Sequence, residues 1–177
     1  MLPVKVIGLG NPIYGDDGVG SCLARFLSQN NDLVIDGNAH GIAILGNLMD
    51  AQNLVFIDID TDLKPGEVAL ERIEGELRIE DTAMLDAHRA SPSLLIGYLR
   101  AMRALNGDAY VISIGPGNME PFKPVSKEVL NSIPKVIELL REVVSRYGVT
   151  LNVQGDPRDF VIKCYEDALG PESNPTS

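Results

Sequence analysis

The sequence predicts an α/β fold, a three-layer sandwich around a mostly parallel, twisted sheet of about five strands. Three observations carry it. Short apolar runs alternate with stretches of helical period. Those runs are apolar at consecutive positions, as strands covered on both faces must be. The length, 177 residues, suits one domain that can bury about 70% of its unfolded surface.

Val4 to Leu9 is β-branched and apolar and stops at Gly10, which makes it the first buried strand. Val19, Cys22, Leu23, Phe26 and Leu27 then recur at helical spacing and define a helix from about Gly18 to Ser28. A short second strand, Leu33 to Ile35, ends at Asp36-Gly37, and Ile42, Leu45, Leu48 and Met49 mark the next helix. The third strand, Leu54 to Ile57, stops at Asp58. Between Gly66 and Ile73 apolar and charged residues alternate, the pattern of an edge or antiparallel strand, and residues 74 to 90 are polar and read as a loop. Pro92 suits a first helical turn, and Leu94, Leu95, Tyr98, Leu99, Met102 and Leu105 form one helical face. Tyr110 to Ile114 is another buried strand, closed by Gly115-Pro116-Gly117-Asn118. Ser126 is placed to cap a last helix reaching about Tyr147, which Pro134 is expected to split in two. Residues 149 to 169 carry no clear period, and 171 to 177 read as a frayed, disordered tail of a single domain spanning 1 to 170.

Composition narrows the function. Fifteen Lys and Arg against 25 Asp and Glu give a net charge of −10, which disfavours nucleic-acid phosphates and anionic membranes as partners. No apolar stretch approaches the roughly 18 residues of a membrane span, and the opening strand leaves no room for a signal peptide, so membrane insertion is not expected. Cys22 and Cys164 have neither zinc-finger nor CxxC spacing and read as reduced thiols of a cytoplasmic protein, Cys22 packing in the core.

In open α/β sheets ligands bind beyond the carboxyl ends of the strands. Asn11, Asp16 and Asp17 follow the first strand, Asp36 the second and Asp58 the third. Each has an ordinary structural explanation. Asp16 and Asp17 could cap the first helix, and Asp36 and Asp58 could be turn residues. His40 and His88 could be solvated loop residues. Gly8-Leu9-Gly10-Asn11-Pro12-Ile13 invites comparison with a dinucleotide fingerprint, but Ile13 stands at the third glycine and two acids occupy the helix start where a pyrophosphate would sit. Taken together, two carboxylates and one imidazole form an oxygen and nitrogen donor set suited to zinc, nickel or cobalt.

Gly8-x-Gly10-Asn11-x-x-x-x-Asp16-Asp17-Gly18-x-Gly20 resembles the opening motif of the hydrogenase maturation endopeptidases. The likeness extends through Asp36-Gly37 with Gly41 and Leu45, the strand ending at Asp58, and the stretch from Ile114-Gly115-Pro116 through Met119-Glu120-Pro121 to Ser126, so that it covers residues 3 to 147. The resemblance implies a phosphorylase/hydrolase-like sandwich. It also implies a cytoplasmic, monomeric protease that removes a C-terminal extension from the large-subunit precursor of a nickel-iron hydrogenase once nickel is inserted. Carried over by position, Asp17, Asp58 and His88 contact the metal, and Asp17, Asp58 and Asp36 serve the reaction. The resemblance also implies that the nickel comes with the substrate and that zinc or cadmium can replace it in vitro. Ser93 stands where many members have the histidine, whereas Ala87-His88-Arg89-Ala90-Ser91 better resembles the Thr-His variant of other relatives, with Ala87 in place of the Thr, and Gly117 stands where a Glu is common. Two alternatives compete. A non-catalytic nickel-binding chaperone would use the same ligands, while a peptidyl-tRNA hydrolase shares Gly-Leu-Gly-Asn-Pro but needs a following His-Asn that is absent here.

Overall fold

A computed structural model of the chain describes residues 1–38, 41–75 and 91–170. The polar segment 76–90 and the tail 171–177 lie outside the described residues. Five strands, β1 (Lys5–Gly8), β2 (Val34–Asp36), β3 (Leu54–Ile59), β4 (Val68–Arg72) and β5 (Ala109–Ile114), form one sheet in the order β2-β1-β3-β5-β4. The first four in that order run parallel, and β4 closes one edge antiparallel to β5. Helices α1 (Val19–Ser28), α2 (Leu45–Leu48), α3 (Pro92–Ala101), α4 (Lys127–Ser145) and α5 (Pro157–Leu169) complete the described elements, with 3-10 segments at Pro12–Gly18 and Gly41–Ile44.

The strands separate two cores because successive side chains point to opposite faces. Val6, Val55, Ile57 and Ile112 pack with α1, α4 and α5 on one side. Ile7, Phe56 and Val111 pack with α2 and α3 on the other. This is the expected three-layer sandwich. The edge strand also behaves as its pattern demands, with Val68 and Leu70 against the first core and Glu71 and Arg72 exposed.

Three expectations are corrected. Pro134 does not split the last helix, since α4 runs unbroken for 19 residues with Pro134 inside it. A proline there costs one helical hydrogen bond and about 3 kcal/mol. Val129, Ile133, Val136, Ile137, Leu140, Val143 and Val144 are buried on both sides of it, and at about 1.5–3 kcal/mol per apolar side chain they outweigh that cost. Residues 149 to 169 are not featureless but contain α5, started by an Asp156 carboxylate that accepts from the Arg158 amide at 2.9 Å and by Pro157 at its first turn. Third, Cys22 and Cys164 are not reduced thiols. Core packing of α1 against α5 brings their Cα atoms to 5.9 Å, and they form a disulfide, within the usual range for such bridges. No helix among the described residues is long and apolar enough to cross a membrane.

Candidate active site at the carboxyl edge of the sheet

The site begins with a close approach. A Cβ on Gly8 would lie 1.9 Å from the Gly20 carbonyl oxygen, and one on Gly20 would lie 2.5 Å from the oxygens of Ile57 and Leu9. Only glycines let the first turn of α1 rest on the ends of β1 and β3, and that contact brings the segment ahead of α1 to the carboxyl edge. The segment is the 3-10 stretch Pro12–Gly18, started by an Asn11 side chain that accepts from the Ile13 amide at 3.0 Å. It kinks at Gly15 (φ 60°, ψ −134°), a left-handed conformation that favours glycine.

The kink separates the fates of two neighbouring acids. Asp16 is fully buried. One of its oxygens accepts from the Gly117 amide at 2.7 Å, the Asn118 amide at 2.9 Å and the Ser126 hydroxyl at 2.7 Å, and the other accepts from the Ser126 amide at 2.7 Å. It therefore fastens the loop after β5 to the loop after β1. Asp17 is partly buried, and its Oδ2 accepts from the Asn11 amide at 2.9 Å. Neither acid caps α1, whose N-cap is Gly18 with no side-chain cap, because the turn at Gly15 directs Asp16 towards partners more than a hundred residues away.

Asp58 lies one residue from the end of β3, beside Ser113 of β5. Its Oδ1 accepts from the amide of Ile59 at 2.9 Å. Burial pushes its carboxyl up to about 7; the hydrogen bond from Ile59 opposes this, and the negative charges of Asp17 and Asp60 add to it. Asp17 and Asp58 thus meet electrostatically although 41 positions separate them in the chain. A cation beside them would favour the charged form of Asp58 against its burial and against the lesser repulsion from Asp17, and carboxylate oxygens are suitable donors for it.

Asp36 ends β2, level with Gly8 on the other flank of β1. Its carboxylate accepts from the Ser21 hydroxyl and Arg25 Nε, both at 2.7 Å, and from the Asn38 amide at 2.9 Å. These contacts tie the end of β2 to α1. His88 and His40 lie outside the described residues, and among the described residues no three His, Cys, Asp or Glu side chains gather in a metal-binding cluster. Around the acids the two joined loops expose Ile13, Tyr14, Met119 and Phe122, held together by the Phe122 amide donating to the Ile13 carbonyl at 2.7 Å. Ser126, which ends the stretch that resembles the family, fills its expected place as a helix cap by accepting from the Val129 amide at 3.3 Å, but its hold on Asp16 had no local signal. Tyr165, in the stretch without clear period, donates its hydroxyl to the Gly15 carbonyl at 2.6 Å.

Comparison with known proteins gives a consistent result. A family model described as hydrogenase maturation protease matches residues 19–143. A provisionally named hydrogenase maturation protease of Methanocaldococcus jannaschii is 31% identical over 149 residues, covering 77% of this chain and 93% of that protein. The hydrogenase expression/formation protein HupD of Bradyrhizobium diazoefficiens is 24% identical over 161 residues, covering 87% of this chain and 84% of that protein. Among solved structures, the hydrogenase maturating endopeptidase HybD from Escherichia coli superposes with a TM-score of 0.66 at 21% identity, over 84% of this chain and 96% of the other, a likeness of fold.

Proposed function

The chain belongs to the hydrogenase maturation protease family, and on that premise we propose that it removes the C-terminal extension of a nickel-iron hydrogenase large-subunit precursor after nickel has been inserted. The electrostatic influence of Asp17, in the turn ahead of α1, on Asp58, one residue from the end of β3, is the observation that supports this reading. A carboxylate held at this edge beside the substrate can take a proton from the attacking water, which is what a general base in peptide hydrolysis must do.

The nickel in this scheme is part of the substrate. Carboxylates are harder donors than cysteine thiolates, so Asp17 and Asp58, with His88 as the third contact, would touch an ion that the precursor's thiolates hold without stripping it away. Contact with the ion would then report that the precursor is loaded. Zinc or cadmium should occupy the same donors in vitro. Asp36, its oxygens engaged by Ser21 and Arg25, enters as the acid that sets the position of α1. The exposed apolar side chains around the acids suit contact with a polypeptide. The reaction runs in the cytoplasm with one copy of the chain per precursor and no nucleic acid.

The test is incubation with nickel-loaded and nickel-free precursor, the product mass being read by spectrometry. Loss of the C-terminal extension from the loaded form alone is expected. A precursor that binds but stays full length in both states would replace the protease with a nickel-binding chaperone.

A further inference from the structure

Helix α5 lies beyond the residues that match the family model, yet it touches the segment that carries the acids. Tyr165 is 1% exposed, and its hydroxyl donates to the Gly15 carbonyl at 2.6 Å across 150 positions of sequence. Gly15 is the kink that decides where Asp16 and Asp17 go. The residue before Tyr165 is Cys164, bonded to Cys22 in α1, and Val161 is buried one turn earlier. The ring of Phe160 packs on Phe26 of α1 with centroids 5.4 Å apart. The helix is therefore held on α1 by a covalent bond and by packing, and it delivers one hydroxyl to the turn. Burial, together with the charges of Asp16 and Asp17, keeps that phenol protonated, so it acts as a donor at every working pH.

We propose that Tyr165 is a positioning residue for the proteolytic reaction: through its bond to the Gly15 carbonyl it fixes the Pro12–Gly18 turn and so the place of Asp17 relative to Asp58. The proposal rests on the protease reading above. It makes α5 part of the working site, whereas a tyrosine that merely satisfied its own buried hydroxyl would influence overall stability and nothing local. Misplacement of a reacting group by about 1 Å can cost on the order of a hundredfold in rate, so a single lost bond at the kink should be visible in turnover.

Tyr165→Phe tests this because it keeps the ring and removes only the hydroxyl, whose partners, the Gly15 carbonyl and the Gly18 backbone, both lie in the turn. With nickel-loaded precursor, kcat should fall by about tenfold or more while KM stays within about twofold, since substrate binding is untouched and orientation is lost. Amide hydrogen exchange at residues 12 to 18 should quicken by about tenfold while β1 and β3 exchange as in the parent. Parental kcat and parental exchange at 12 to 18 would overturn the proposal. So would a uniform rise in exchange across the whole chain, which is the mark of a purely structural tyrosine. If the parent protein itself leaves nickel-loaded precursor uncut, the protease reading falls, and exchange at 12 to 18 decides alone whether Tyr165 holds the turn.

Discussion

Asp16 and Asp17 are chain neighbours with opposite duties. Asp16 satisfies four donors in a buried setting, three of them on one oxygen, and an amide nitrogen there would face donors with a donor. Asp16→Asn should therefore destabilise the fold by about 1–3 kcal/mol. Asp17→Asn should stay within about 0.5 kcal/mol of the parent yet leave nickel-loaded precursor full length, because Asn is a poor ligand and no base. Urea unfolding and the processing assay, run on both variants, separate the two roles; normal cleavage by a folded Asp17→Asn protein would remove Asp17 from the mechanism. Asp58 makes a pH prediction. Its folded carboxyl, at about 7, lies above the ordinary 3.8, so the native state holds that proton more tightly than the unfolded chain. The resulting stability is fully present below about pH 4 and is lost as pH rises through 7. Asp58→Asn carries no such loss. It should gain on the parent as pH rises, by on the order of 2 kcal/mol at pH 8 after allowance for partial exposure, and urea titrations at pH 4 and 8 would show a gap that widens with pH.

Elements were legible where their signal is local. The parallel strands are covered on both faces and so read as unbroken apolar runs such as Leu54 to Ile57, all buried. Helices α1 and α4 show dense apolar stripes. Helix α5 buries only Val161, Cys164 and Tyr165 of its 13 residues, too sparse a stripe to announce a helix, although Asp156-Pro157 at one end and Gly170 at the other are ordinary boundary residues. Pro134 misled for the converse reason: a local rule was outvoted by burial on either side of it. The same contrast holds in the site. Asp17 and Asp58 stand out as candidates because α/β sheets bind ligands beyond the carboxyl ends of their strands. The roles of Ser126 and Tyr165 do not, since their partners Asp16 and Gly15 lie 110 and 150 positions away, and periodicity contains nothing at that range.

At the scale of the molecule, the Cys22–Cys164 bridge spans 142 positions and ties the helix beside the site to the last helix. A cross-link stabilises chiefly by restricting the unfolded chain, and a loop this long gives about 5 kcal/mol in the chain-entropy model, with about 2–4 kcal/mol typical of measured bridges. Adding a phosphine reductant should therefore lower the urea midpoint of the parent. Cys22→Ala/Cys164→Ala should already sit at the lower midpoint and ignore the reductant. Processing is a separate matter. Val161, Tyr165 and the Phe160–Phe26 contact still hold α5 on α1 without the sulfurs, and no cysteine is placed among the acids, so the double variant should cleave nickel-loaded precursor at the parental rate at a temperature where it remains folded. Loss of cleavage in a folded double variant would give the sulfurs a part in the chemistry. A reductant-insensitive midpoint in the parent, with two thiols found by alkylation and mass spectrometry, would mean that packing alone brings α5 to α1.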